Sequence, residues 1–133
     1  MSTRFDRRLL FAGALAAIVA IVVAPFAEVR AGALARVDVY DRSAGEALPL
    51  LRHAGRQYVE GRPGNEYAVR IRNCSGRRLL AVLSVDGVNA VTGETASFGQ
   101  AGYVIEPGGY VTVQGWRKSL DSTAAFYFSD PQE

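Results

Sequence analysis

His53 and Cys74 are the only histidine and the only cysteine in this chain, and they are the side chains best suited to move a proton or attack a substrate near neutral pH. A catalytic serine would have to use His53 as its base, and no Gly-x-Ser-x-Gly elbow is present to expose such a serine. His53-Ala54-Gly55-Arg56 reads as a hairpin turn, which leaves the imidazole on the surface. A dyad of Cys74 and His53 would act through the thiolate, but both residues fall in turns and nothing in the sequence draws them together. One histidine and one cysteine cannot complete a zinc tetrahedron. Asp86-Gly87-Val88-Asn89 has only two oxygen-bearing side chains to offer a calcium ion, and a tight turn accounts for them. The sequence therefore predicts no catalytic residue, no metal and no cofactor. Asn73-Cys74-Ser75 matches the glycosylation sequon and is read as a chance match in a bacterial protein.

Residues suited to binding are easier to find. Arg70 and Arg72 share one face of an alternating segment, and Arg77 with Arg78 follow at the next turn, an arrangement that could cradle an anion. The competing reading is a solvated strand face whose arginines pair with acids of a neighbouring strand. In Tyr110-Val111-Thr112-Val113-Gln114-Gly115-Trp116, unbroken alternation sets Tyr110 and Trp116 on the polar face, where exposed rings would suit a sugar or a protein partner. Gly115 can instead mark a bulge that returns Trp116 to the core. Trp116, Tyr110, Arg70 and Arg72 are thus the candidate ligand-binding residues.

These residues must be positioned by about 100 residues that follow an unusual beginning. Leu9 to Ala27 contains no charge, Arg7 and Arg8 precede it, and small-x-small sites follow at Val29-Arg30-Ala31 and Ala33-Leu34-Ala35. Residues 1–35 are read as a signal peptide cut after Ala31 or Ala35, or as an uncleaved helical anchor, since the apolar run approaches the roughly 20 residues that span a bilayer. Either way the arginines stay cytoplasmic and the remaining chain is translocated, by the general or the twin-arginine route. The domain is then periplasmic or secreted, or held to the inner membrane by residues 9–27. With a lone cysteine, no intramolecular disulfide can form there, so packing alone must hold the fold. The first 35 residues carry four arginines and two acids, which leaves eleven charges of each sign over residues 36–133. A neutral domain has no long-range field to gather nucleic acid.

Residues 36–133 form one unit of short alternating runs between turn residues, the pattern of an all-β antiparallel two-sheet sandwich, jelly-roll or immunoglobulin-like, with about seven or eight strands. Val37 and Val39 define a first strand ending near Asp41. Pro49 marks an edge strand between Ala47 and Leu51, and Gln57 to Val59 completes a hairpin. Arg62-Pro63-Gly64-Asn65 is a turn into a half-buried strand of Tyr67, Val69 and Ile71. Leu79 to Val85 is the most continuously apolar run and is expected to be the central strand. Asp86-Gly87 turns into Val88 to Val91, Thr92 to Gly99 is a loop, and Tyr103 to Ile105, Tyr110 to Val113 and Ala124 to Ser129 are the last strands.

Gly61-Arg62-Pro63-Gly64-Asn65-Glu66-Tyr67, the run from Arg77 to Asn89, and Gly115-Trp116-Arg117-Lys118-Ser119-Leu120 resemble a family of uncharacterised exported proteobacterial proteins. The resemblance covers about Val37 to Phe128 and brings no established activity, substrate or site residues. Family members continue past the Phe-Tyr-Phe strand into another apolar strand. The resemblance thus implies that the segment from Ala124 to Ser129 is an unpaired edge, open to self-association or an added strand.

Together these features predict an exported, non-enzymatic domain with a structural role or an unidentified protein or glycan partner. A carbohydrate-binding module built on Trp116 and neighbouring tyrosines is the second reading, and a small hydrolase with an unrecognised site is the third. If export is right, a reporter that works only after translocation, fused after Glu133, will be active. A full-length fusion retained in the cytoplasm would refute it.

Overall fold

The computed structural model describes residues 34–130, so nearly all of the expected leader at 1–35 lies outside the described residues. The strands in chain order are β1 (Ala35–Asp41), β2 (Glu46–Ala47), β3 (Leu51–His53), β4 (Arg56–Tyr58), β5 (Glu66–Asn73), β6 (Leu79–Ala81), β7 (Ser84–Val85), β8 (Val88–Asn89), β9 (Tyr103–Ile105), β10 (Tyr110–Val113), β11 (Gly115–Arg117) and β12 (Thr123–Tyr127). The fold is all-β and its pairings are antiparallel. Among the described residues twelve strands stand where about seven or eight were expected: Leu79 to Val85 breaks into β6 and β7, β10 matches the expected Tyr110 to Val113, and β11 follows it as a strand the sequence reading did not give.

Six strands form one sheet in the order β11-β12-β5-β1-β2, with β10 also on β5, and three two-stranded sheets join β3 to β4, β6 to β9 and β7 to β8. The centre is β5, not the Leu79 to Val85 run. Strand β1 pairs with all eight β5 residues except Glu66, β10 covers Val69 to Arg72 on the other side, and β12 reaches Glu66 and Tyr67. The apolar run is buried from Ala81 to Val85 nonetheless. Continuous apolarity there reports depth, because both faces of the segment are covered; it does not report the number of strand neighbours.

Alternation sets the faces of the main sheet. Ala35, Val39 and Asp41 of β1 and Tyr67, Val69, Ile71 and Asn73 of β5 turn inward, and their apolar members join Leu79, Ala81, Leu83, Val85, Ala90, Ile105 and Val113 in one cluster. Each fully buried valine or isoleucine contributes about 1.5 to 3 kcal/mol through the area it removes from water. The expected Asp86-Gly87 hairpin is present between β7 and β8, with φ values of 52° and 78°. Two positive angles in sequence twist a two-residue turn to match its strands.

The last strand is paired along its length, one partner per residue: β12 meets β11 through Thr123 to Ala125 and β5 through Phe126 and Tyr127. Beyond it, the Arg117 N–H of β11 donates to the Ala90 carbonyl at 2.8 Å.

Asp41 is a charge on the inward face of β1, at 1% exposure. Its Oδ1 accepts the Ala44 N–H and its Oδ2 accepts the Asn65 amide, both at 2.8 Å. Burial by itself raises the carboxyl's pKa, but these bonds, that of the Ser43 N–H and the charge of Arg62 outweigh it and leave the pKa below its ordinary value. A pKa lowered by folding stabilises the protein above the ordinary carboxyl range, and that contribution disappears as the pH falls through the lowered value. Asn65→Ala removes the strongest lowering contact. Its acid-unfolding midpoint, followed by circular dichroism, is expected at a higher pH than the wild type's; an unchanged midpoint would mean that Asp41 does not couple folding to acid.

Candidate functional site

The outward residues of β1, β5 and β10 form the one surface where three of the four candidate binding residues meet. Register sets Arg36 opposite Arg72, Asp38 opposite Arg70, Arg70 opposite Thr112 and Arg72 opposite Tyr110. The Arg70 guanidinium lies over the Tyr40 ring at 4.4 Å and the Tyr110 ring at 4.9 Å, measured to the centroids. Its Nε donates to the Thr112 hydroxyl at 3.2 Å and its Nη1 to the Tyr40 hydroxyl at 3.0 Å. Arg72 lies 5.5 Å from the Tyr110 centroid. Tyr110 itself is 56% exposed.

Arg70 is therefore held by aromatic and hydroxyl partners rather than by the acid across from it. Asp38 pairs instead with Arg36 on its own strand, at 3.1 Å. A cation over a ring is worth about 0.5 to 1 kcal/mol when exposed and more when sheltered from water. Two such rings and two hydrogen bonds together favour the orientation in which Arg70 is found. Of its five N–H groups two are committed to Tyr40 and Thr112, which leaves donors for an acceptor from outside. Tyr40 and Thr112 were missed in the sequence. The signal was there: Arg36, Asp38 and Tyr40 alternate with the buried residues of β1, but no pattern gave the register that joins them to Arg70.

Arg77 and Arg78 lie beyond the strand and do not enter this cluster; the Arg78 Nε is 2.8 Å from the Glu106 carboxylate. Trp116 is on the other side of the sheet. Strand β10 ends at Val113, the chain steps at Gln114, whose carbonyl accepts the Phe126 N–H at 3.2 Å, and Trp116 emerges facing inward. Its ring meets Phe126 edge-on at 4.6 Å, and Phe126 in turn stacks on Tyr67 at 5.3 Å. Gly115 permits the step, since a Cβ there would collide with the Ala124 carbonyl. A sugar platform needs an open ring face, and this ring is half-buried against the core. The Trp116 Nε1 is buried with no hydrogen-bond partner.

His53 sits exposed at the end of β3, opposite Arg56, and Cys74 is exposed after β5 with its sulfur 3.8 Å from the Arg72 carbonyl. Their elements share no pairing. Among the described residues no three His, Cys, Asp or Glu side chains cluster as metal ligands do. The Asn73 amide is fully buried and donates to the carbonyls of Arg77 at 2.6 Å and Ile105 at 3.0 Å, so the sequon nitrogen is already engaged.

An apolar cleft of about 340 Å³ lies between the β7–β8 turn and the loop after it, lined by Val82, Ser84, Gly87, Thr95, Ala96, Ser97 and Phe98. Phe98 is 85% exposed. Asn89 and Gln100 hold its loop in shape: the Asn89 amide donates to Gln100 and to the Ala101 carbonyl, and Gln100 bridges the Ser97 N–H and the Thr95 carbonyl.

Comparison with protein-family models, with curated proteins and with solved structures finds no match.

The opposite roles open to Trp116 separate cleanly by stability. Trp116→Ala is expected to cost about 3 to 5 kcal/mol, as core aromatic truncations do. Trp116→Phe keeps an aromatic edge on Phe126 and deletes an unsatisfied donor, whose burial costs about 1 to 3 kcal/mol, so it is expected to cost far less or to stabilise. Denaturant melts of both variants check this; an alanine variant as stable as the wild type would put the ring back among binding residues.

Proposed function

We propose that this protein is an exported, non-enzymatic binding domain, and that it recognises a carboxylate-bearing partner through Arg70, Arg72 and Tyr110, with Tyr40 and Thr112 holding Arg70 in place. The reading rests chiefly on Arg70: a guanidinium over two tyrosine rings and bonded to two hydroxyls, with donors to spare and no carboxylate of its own, is preorganised for a planar bidentate anion. Preorganisation matters because an arginine fixed before binding loses little side-chain entropy on binding. The leader and the family resemblance support periplasmic or secreted placement, with anchoring to the inner membrane as the alternative. In architecture the domain is taken as a two-layer sandwich, the six-stranded sheet forming one layer and the β6–β9 and β7–β8 pairs the other, since both contribute to a single core.

A protein partner is the first choice. A glycan is the second, now centred on Tyr110 rather than Trp116, because Tyr110 presents an exposed ring beside two arginines and would suit an acidic sugar. The hydrolase reading gains nothing from the placement of His53 and Cys74 on unconnected elements.

Two probes distinguish these partners: a glutamate-rich peptide and an oligosaccharide of uronic acids, each titrated into the protein at low salt and followed by calorimetry. Binding is expected for at least one, with Arg70→Gln weakening it tenfold or more. Tyr110→Ala should weaken the oligosaccharide more than the peptide. Equal affinity for wild type and Arg70→Gln would remove the site from this face.

A further inference from the structure

We propose that Arg70 and Arg72 act as a pair on one segment of a protein partner, each taking one of two carboxylates that the segment brings close together. This rests on the carboxylate reading of the face and deepens it, because a single carboxylate on Arg70 would satisfy that reading without satisfying this one.

The charges of the outer face leave two cations over. Asp38 and Glu66 are the acids on the outward positions of β1 and β5, and both are engaged within the domain, Asp38 by Arg36 at 3.1 Å and Glu66 by Arg42 at 2.6 Å. The Tyr127 hydroxyl donates to the other oxygen of Glu66 at 3.3 Å. Among the described residues no carboxylate forms an ion pair with Arg70 or Arg72. Strand β10 adds Tyr110 and Thr112 to this face and no charge. The uncompensated charge of the face is therefore carried by these two arginines.

The two cations are also held together. Arg70 and Arg72 stand two residues apart on β5, which sets them on one side of the sheet with their backbones about 6.6 Å apart. Tyr110 lies directly across from Arg72 and diagonally from Arg70, a position from which a long side chain reaches both. Their guanidinium carbons are 4.9 and 5.5 Å from the centroid of that one ring. Two cations over the same ring are thus at most about 10 Å apart. Like charges at such a distance repel, and a single carboxylate relieves only one of them. Two carboxylates neutralise both.

Hydrogen bonding points to the same chemistry. The Tyr40 and Thr112 oxygens accept from Arg70, which leaves both hydroxyl protons to donate, and the guanidiniums themselves only donate. A ligand at this face must accept. Ionised carboxylates do nothing else, whereas a neutral sugar hydroxyl would bring a proton with no acceptor to meet it. An extended protein segment with acids on alternate residues repeats its carboxylates at the same two-residue interval as Arg70 and Arg72.

Full-length protein with isotope-labelled arginine is held in a neutral detergent near neutral pH. The Nε–H resonances of Arg70 and Arg72 are followed while acetate, succinate, glutarate or adipate is added at constant ionic strength. Two carboxylates that bind independently raise the apparent affinity only about twofold, whereas engaging both arginines at once raises it roughly tenfold or more. The wild type is expected to bind the best dicarboxylate at least tenfold tighter than acetate, and Arg72→Gln to reduce that advantage to about twofold. Arg70→Gln should weaken acetate and dicarboxylates alike, and both variants should keep the wild-type spectrum for inward residues, which shows that they fold. A peptide with glutamates on alternate residues should outbind one of equal charge whose glutamates are separated by a long glycine linker. A wild-type advantage of twofold or less overturns the pairing, as does equal binding of the two peptides or tighter binding of inorganic phosphate than of any dicarboxylate. If acetate still shifts the Arg70 resonance in that event, single-carboxylate recognition stands alone; if no probe shifts it, both readings fall.

Discussion

Strand β5 has more edge than any single later strand covers. Its side away from β1 is shared: four residues go to β10 and two to β12. For β12 to take its place, the chain between them must leave β5 after Val113, and the step at Gln114 and Gly115 is how it does so. That handover reverses the alternation. It turns Trp116 inward onto Phe126 and completes an aromatic line through Tyr67 to Phe128, whose rings lie 4.4 Å apart. Burial in this line also pushes the Tyr67 phenol well above the ordinary tyrosine range, with Asp86 adding to the effect, so the ring stays neutral.

The same handover determines what the outer face can do. Because β10 lies on β5 only from Tyr110 to Val113, Tyr110 and Thr112 fall beside Arg72 and Arg70. Had the alternation run on through Trp116, the tryptophan would have joined them. Instead the face carries arginines and tyrosines alone, and its chemistry is that of an anion site with an aromatic floor. Asp38 is in register with Arg70 but takes Arg36, and that choice leaves the central guanidinium to the rings.

Much of the fold was legible because turn chemistry and period-two patterning are local. Pro63-Gly64, Asp86-Gly87 and Pro107-Gly108 turn where their residue types demand it, and the inward faces of β1 and β5 follow from alternation. The central strand was misread because a long apolar run is produced equally by a strand with two neighbours and by short segments buried under loops. At the last strand, β11 and β5 each take a different part of β12, a division of partners that no local pattern shows.

By itself, then, the sequence determined the all-β class, the positions of the turns, the neutral balance of residues 36–133 and the candidacy of Arg70, Arg72 and Tyr110. Those properties depend on residue type and on spacing within a few positions. Only the tertiary structure decided which residues of distant segments meet: Tyr40 and Thr112 come to Arg70 from 30 and 42 residues away. It also decided that Asp41 is buried with its carboxylate held by Ala44 and Asn65. Strand register is a long-range choice made by packing β5 against three partners at once, and no local pattern encodes it.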